Sequence, residues 1–340
     1  MTEATNLRIG LRTAMGVPGR ERDEAQAKIK LADQLGYDSL WIDETWGTDA
    51  VTEMTEAVYM TEQIKIGSGI MNVFSRSPGV IASTFATLDE RSGGRMIVGL
   101  GTSGANVIEH FHGVPYEHPL RRLREYVEII NMLVRGERLL YEGELFNLSR
   151  GFRLNLTRVR DHIPIYIAAI APSSIRQTGE VADGIIPIHW PKDRYELVRQ
   201  RLDRGARKAG RTGNDITIAP YLTTGYVTDE STRPAAVRAG KERISWYIGR
   251  MGIFYKQMLA REGYPEETAE IEAAWGNGRD SATDAVPDHM AENINVVGTP
   301  QEIHAQLVEL VANGVDAPLL NMPSGNPDEA GAILEGVIKG

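Results

Sequence analysis

Apolar runs of strand length recur along the chain at Leu7 to Leu11, Ser39 to Asp43, Ile64 to Gly69, Met96 to Gly101, Ile163 to Ala169, Ile185 to Ile188, Ile216 to Tyr221 and Pro318 to Met322. Between them the apolar positions take a helical period, as in Ala25, Ile29 and Ala32 closing on Gly36, or Ile81, Phe85 and Leu88 closing on Gly93 and Gly94. Helix starts are punctuated. Ser77 before Pro78, Thr299 before Pro300 with Glu302, and Asn326 before Pro327 with Glu329 each read as an N-cap, a first-turn proline and an acidic residue suited to the helix dipole. Gly314 reads as a C-cap. The strand runs are nearly continuous in Val, Ile and Leu rather than alternating, so both sheet faces should be covered, as in parallel sheets with crossover helices. Eight such units predict an α/β fold, a closed (β/α)8 barrel.

A bare barrel uses about 250 residues, and the chain has 340. The surplus falls in two places. Residues 139–162, after the fourth helix, read as a hairpin insertion turning at Glu142-Gly143. Residues 231–293, between the seventh and eighth strands, read as a helical insertion carrying Trp246, Tyr247, Phe254, Tyr255 and Trp275. No linker, repeat or low-complexity tract divides the chain, so residues 1–340 are expected to form a single domain.

Composition narrows the function. With 42% hydrophobic and 24% charged residues the chain should bury a sizeable core. A net charge of -9 is the wrong sign for a nucleic-acid binder. The absence of cysteine excludes thiolate nucleophiles, disulfides and cysteine-held metals. His110 and His112 lie on different sides of any helix and no H-E-x-x-H occurs, so no metal site is expected. Met1 to Thr13 lacks the pattern of a secretory leader, and no apolar run is long enough for a membrane span, so a cytoplasmic protein is expected.

Barrel enzymes build their sites at the carboxyl ends of the strands. The residues there are Asp43-Glu44-Thr45-Trp46, Gly69-Ile70-Met71-Asn72, Thr102-Ser103-Gly104, Ala169-Ile170-Ala171-Pro172-Ser173-Ser174, His189-Trp190 and Asn321. Gly99 to Gly104 fits G-x-G-x-x-G, yet three strand-helix units precede it and no acidic partner follows on a second strand, so the dinucleotide reading is weak. Ser173 and Ser174 read as a helix start with capping oxygens. The same start aims free N–H groups at the barrel mouth, where a phosphate could sit. Gly67-Ser68-Gly69-Ile70 reads as a bulge. Trp41 should pack, and Trp46 should line a pocket together with Trp190 and aromatic residues of the second insertion. His189 can be a structural group or an acid or base.

Ile66-Gly67-Ser68-Gly69-Ile70 through Ser75-Arg76-Ser77-Pro78, then Ala86 to Arg95 and Gly99-Leu100-Gly101, resemble the luciferase-like monooxygenase superfamily. Further matches are Gly36 to Trp41, Gly179 to Gly184 and Val297 to Glu302, so the resemblance spans the barrel. Gly101 to Gly104, Val107 to Pro115 and Arg124-Glu125-Tyr126 are most similar to the branch that uses coenzyme F420; FMN-dependent relatives stay open. The resemblance implies a (β/α)8 barrel, a deazaflavin at the strand ends, a small-molecule substrate and a homodimer. It also implies a cis peptide at Gly69-Ile70 behind the ring, Glu44 and Asn72 near it, Thr102 and Ser103 beside it, and Ala169, Ile170, Ala171, Ser173 and Ser174 as the phosphate loop. The family's alcohol-oxidising members carry a histidine base where this chain has Thr45, followed by Trp46. Their glutamate after the fourth strand is replaced by Gly104, with Glu109 further along. The resemblance therefore leans toward a reductase of a C=C, C=N or C=O bond, with Thr45, Trp46, Glu109 and His189 as candidates for polarising the acceptor. An FMN-dependent monooxygenase and a non-catalytic deazaflavin carrier or sensor remain the other classes. A hydrolase is disfavoured because adjacent Asp43 and Glu44 point to opposite faces of a strand.

Overall fold

The computed structural model describes residues 7–13 and 20–340; the reading of the first six residues as leaderless lies outside them. Strands β1 (Gly10–Thr13), β2 (Ser39–Ile42), β3 (Lys65–Ser68), β4 (Met71–Asn72) and β5 (Met96–Gly101) alternate with helices α1 (Arg20–Gln34), α2 (Ala50–Met60) and α3 (Pro78–Ser92). Helices α4 (Ala105–His110) and α5 (Pro119–Val134) lead to an antiparallel hairpin, β6 (Leu139–Glu142) and β7 (Asn147–Phe152). The alternation resumes with β8 (Ile165–Ile167), α6 (Pro172–Val181), β9 (Gly184–Ile185), α7 (Tyr195–Ala206), β10 (Thr217–Ile218), β11 (Tyr221–Leu222) and β12 (Thr224–Tyr226). Five helices follow, α8 (Arg233–Arg250), α9 (Ile253–Arg261), α10 (Pro265–Ala274), α11 (Arg279–Asp284) and α12 (Asp288–Ile294). The chain ends with β13 (Val296–Gly298), α13 (Pro300–Ala312), β14 (Leu319–Asn321) and α14 (Pro327–Lys339).

The main sheet runs β10-β9-β8-β5-β3-β2-β1-β14-β11, every pairing parallel, with β4 also on β5. Its two ends, β10 and β11, are halves of one run interrupted at Ala219-Pro220. The sheet thus curls until it meets itself, and a bridge from Ile188 to Tyr221 marks the seam. Observed strands are shorter than the apolar runs because the runs include residues entering and leaving the sheet. The first is shifted: pairing begins at Gly10 and takes in Arg12 and Thr13.

Both faces of these strands are buried, which explains the continuous apolar runs. One cluster fills the interior of the curl: Trp41, Ile97, Tyr166, Ile186, Ala219, Tyr221, Ala317 and Leu319. Their strand neighbours Leu40, Ile42, Val98, Ile165 and Ile167 pack outward in the second cluster, with the helices. Large and small residues alternate inside. A Cβ on Gly67 would sit 2.7 Å from the Trp41 ring, and one on Gly184 would sit 2.6 Å from Tyr166.

The amino ends of the strands are tied by charge. Asp33 accepts hydrogen bonds from the N–H groups of Glu62, Gln63 and Ile64, and Asp89 accepts from the Met96 N–H and from Arg160. Arg95 donates to the carbonyls of Val58, Thr61, Ile64 and Ser92. The Ala86 to Arg95 block therefore serves stability, as residues at this end of a barrel do. Helix caps fall where expected: Ser77, Thr299 and Asn326 cap their helices, and Gly93 ends α3 in the left-handed region at φ 67°.

Candidate active site

The carboxyl ends of the strands bring together four groups of side chains. At the first, β3 stops at Ser68, the Gly69-Ile70 peptide is cis, and β4 resumes on β5. Tyr221 donates its hydroxyl to the Gly69 carbonyl at 3.2 Å, and a Cβ on Gly69 would meet that hydroxyl at 1.5 Å. A Cβ on Gly99 would strike the Ser68 carbonyl at 1.7 Å, and one on Gly101 the Ile70 side chain at 2.6 Å. Close packing thus accounts for two glycines of G-x-G-x-x-G, and Gly104 caps the short α4. Asn72 is buried; its Oδ1 accepts from the N–H groups of Phe74 and Ser75, and its Nδ2 lies 3.3 Å from His112 Nε2. Glu44 pairs with Arg76 through one carboxylate oxygen, while the other, Oε2, is buried and has no hydrogen-bond partner among the described residues.

The second group follows β5. Thr102 and Ser103 are half-buried, and the hydroxyls of Thr102 and Tyr116 both donate to the Ser103 carbonyl, at 3.3 and 3.2 Å. Burial pushes the Tyr116 phenol up, with the Thr102 hydrogen bond opposing.

The third is the start of α6, and here the structure corrects the capping expectation. The N-cap is Ala171, which has no side-chain oxygen, so neither serine caps the helix. Ser174, in the first turn, instead accepts from the Ala171 N–H and donates back to its carbonyl. Ala169 is buried, Ile170 and Ala171 are half-buried and Ser173 is exposed. Arg261 of α9 donates to the Ile170 carbonyl at 3.0 Å. An uncapped helix start beside a guanidinium is suited to an anion.

The fourth group centres on His189, which is 2% exposed with backbone φ 54°. Among the described residues neither ring nitrogen has a hydrogen-bond partner. Tyr247 of α8 meets its ring edge-on at 4.3 Å, and Tyr255 of α9 stands 6.4 Å away. Burial, then the charges of Arg243 and Arg12, lower its pKa to about 3. Arg12 is gripped by Asp43, its Nε 2.7 and 2.9 Å from the two carboxylate oxygens, and lies over the Tyr221 ring at 5.4 Å. Burial lowers the Arg12 pKa, and the Asp43 pair more than offsets it, leaving the pKa raised.

The sequence candidates therefore divide. Glu44, Gly69, Ile70, Asn72 and His189 are gathered around the mouth. Thr45 is exposed and Trp46 is 56% exposed, so Trp46 does not line an enclosed pocket; its loop leaves β2 into solvent. Glu109 is exposed and accepts from the Tyr116 N–H, which ties a loop. Trp190 is core: it is 1% exposed, donates to the Arg194 carbonyl and lies under Arg201. Trp246 and Trp275 pack on each other, and of the aromatic residues named in the second insertion Tyr247 and Tyr255 reach His189. Sequence reasoning missed Arg12, Tyr221 and Arg243. Arg12 had a signal, a cation ending an apolar run whose neighbouring run ends in Asp43; Arg243 had none.

The profile of the family described as luciferase-like monooxygenase matches residues 5–317. A 5,10-methylenetetrahydromethanopterin reductase of Archaeoglobus fulgidus is 30% identical over 329 residues, covering 93% of this chain and 94% of the relative. The coenzyme F420 dependent tetrahydromethanopterin reductase of Methanopyrus kandleri superposes with a TM-score of 0.82 at 25% identity, over 97% of each chain. An F420-dependent secondary alcohol dehydrogenase in complex with an F420-acetone adduct shares the fold at a TM-score of 0.77 and 20% identity, over 98% of each chain.

Proposed function

Because this chain belongs to the luciferase-like monooxygenase family, we propose that it is a coenzyme F420-dependent oxidoreductase that reduces a C=C, C=N or C=O bond of a small organic substrate. The observation that carries this reading is the full-length similarity to methylenetetrahydromethanopterin reductases. The residues at the mouth fit such a coenzyme. Glu44 Oε2 is a buried acceptor with no partner among the described residues, the cradle of Gly69, Gly99 and Gly101 leaves no room for side chains, and the uncapped start of α6 suits a phosphate. When bound, the deazaflavin supplies the hydride, and the protein supplies position and electrostatics.

Each group then has a part. Gly69-Ile70, backed by the Tyr221 hydroxyl, forms the wall behind the ring, and Glu44 and Asn72 border it. Thr102 and Ser103 line its edge, and Ala169, Ile170, Ala171, Ser173 and Ser174 take the phosphate. Of the four candidates for polarising the acceptor, geometry favours His189. As a neutral imidazole it offers one N–H donor and one acceptor, so it polarises a bond by hydrogen bonding. Thr45, Trp46 and Glu109 belong to the outer rim.

The test is turnover of the reduced coenzyme with a panel of unsaturated ketones, imines and aldehydes, run under nitrogen and again in air with an oxygen electrode. Reoxidation that depends on the acceptor, without oxygen uptake, is expected. Turnover that instead requires FMN and consumes oxygen would make the protein a monooxygenase.

A further inference from the structure

Between β1, β14 and α8 lies a cavity of about 360 Å³ whose wall includes Arg12, Lys28, Asp43, Arg243 and Asn321. In strand order β1 and β14 stand across the curl from β8 and the start of α6, and Asp43 in the cavity wall sets it beside Glu44 at the coenzyme's proposed seat. Its charges are unevenly matched. Arg12 is neutralised by Asp43. Lys28 donates to the carbonyls of Pro323 and Gly325, which satisfy its hydrogen bonds and leave its charge. Arg243 is half-buried, and its partners among the described residues are the Tyr247 hydroxyl, 3.3 Å from Nη2, and the Tyr247 ring at 5.0 Å. Among the described residues two cations of the cavity wall, Lys28 and Arg243, thus have no carboxylate partner, in a chain whose net charge is -9. A half-buried guanidinium gains most from a planar or tetrahedral oxyanion, which it can meet with paired hydrogen bonds. A second observation joins it: His189 reaches this cavity through Tyr247, whose ring lies 4.3 Å from the imidazole and 5.0 Å from the Arg243 guanidinium, and among the described residues neither of its buried ring nitrogens has a hydrogen-bond partner.

We propose that the substrate carries an anionic oxygen group, carboxylate or phosphate, held by Arg243 at this cavity, with its reacting part directed toward His189. This rests on the oxidoreductase reading for the reaction, but the anion site stands on its own geometry. Binding there also cancels part of the positive field at His189 and raises the pKa of that imidazole. Arg243 would then select the substrate and adjust the group that polarises it.

The full-length protein, with and without coenzyme F420, is titrated by calorimetry with inorganic phosphate and with benzoate, benzamide being the neutral counterpart of the latter. Wild type should bind at least one of the anions and not benzamide; the better of the two identifies the group the substrate bears. Arg243→Gln should weaken that binding by about tenfold or more, and Arg243→Lys, which keeps the charge and loses the paired geometry, should weaken it by a smaller factor. Coenzyme affinity should be unchanged in both variants. Saturating anion should raise the His189 pKa in NMR titrations of wild type and leave it unmoved in Arg243→Gln, a response that loss of folding would not mimic. The proposal is overturned if neither anion binds, if benzamide binds as well as benzoate, or if Arg243→Gln binds as tightly as wild type. Anion binding that persists where the coenzyme fails to bind would remove the oxidoreductase reading and leave this one in place.

Discussion

His189 is neutral at pH 7, and its protonation is coupled to stability. Its pKa falls from 6.5 to about 3, through burial first and then Arg243 and Arg12. The unfolded chain binds a proton that the folded chain refuses between these values. The contribution is therefore full above pH 6.5 and is lost as the pH falls toward 3. From pH 7 to pH 5 this one group should remove about 2 kcal/mol of stability. His189→Gln should lose that much less over the same interval in urea denaturation; equal losses in both proteins would mean that the imidazole is not held neutral. Gly69 gives a second expectation. Gly69→Ala drives a methyl into the Tyr221 hydroxyl and should cost about 1–3 kcal/mol. Adding Tyr221→Phe should recover part of the loss in a thermal melt, whereas simple additivity would show that the two do not meet. At this scale the sequence was legible where a residue type has one use, as with the glycines. It was silent on Arg243, because a cation on an insertion helix looks like any solvated charge until the fold turns it toward the mouth.

Among the elements, the turn of the hairpin β6–β7 is anchored to α5 chiefly by a buried carboxylate, beside the Tyr141–Glu128 hydrogen bond and the Arg121–Glu144 ion pair. Glu125 of α5 is 2% exposed, and its carboxylate accepts from the N–H groups of Glu144, Leu145 and Phe146. Glu125→Ala leaves those donors without a partner, at about 1–3 kcal/mol. Amide exchange should accelerate at residues 144–146 and stay unchanged in β5 and β8; uniform acceleration would contradict a local anchor. The parallel sheet was readable because burial on both faces leaves continuous apolar runs, whereas the hairpin expected to turn at Glu142-Gly143 keeps Glu142 in β6, paired with Asn147, and turns over residues 143–146. The pairing of β12 with β13, which closes the ends of the helical segment together, was not readable. These strands are three residues each, and their partner lies some seventy positions away, beyond the reach of local periodicity.

For the molecule as a whole, the two ends of the barrel divide the labour. The amino ends carry the Asp33, Asp89 and Arg95 networks that hold the turns, and the mouth carries buried polar atoms without a partner among the described residues, Glu44 Oε2 and the His189 nitrogens. Unmatched groups at the mouth are what a ligand site requires. Among the described residues no helix is long and apolar enough to cross a membrane. The most direct measurement is a parallel fluorescence titration of the purified protein with coenzyme F420 and with FMN. Micromolar binding of F420, weakened by Glu44→Gln and absent for FMN, is the expected result. Preference for FMN, or F420 binding indifferent to Glu44, would contradict the seat assigned here to the coenzyme.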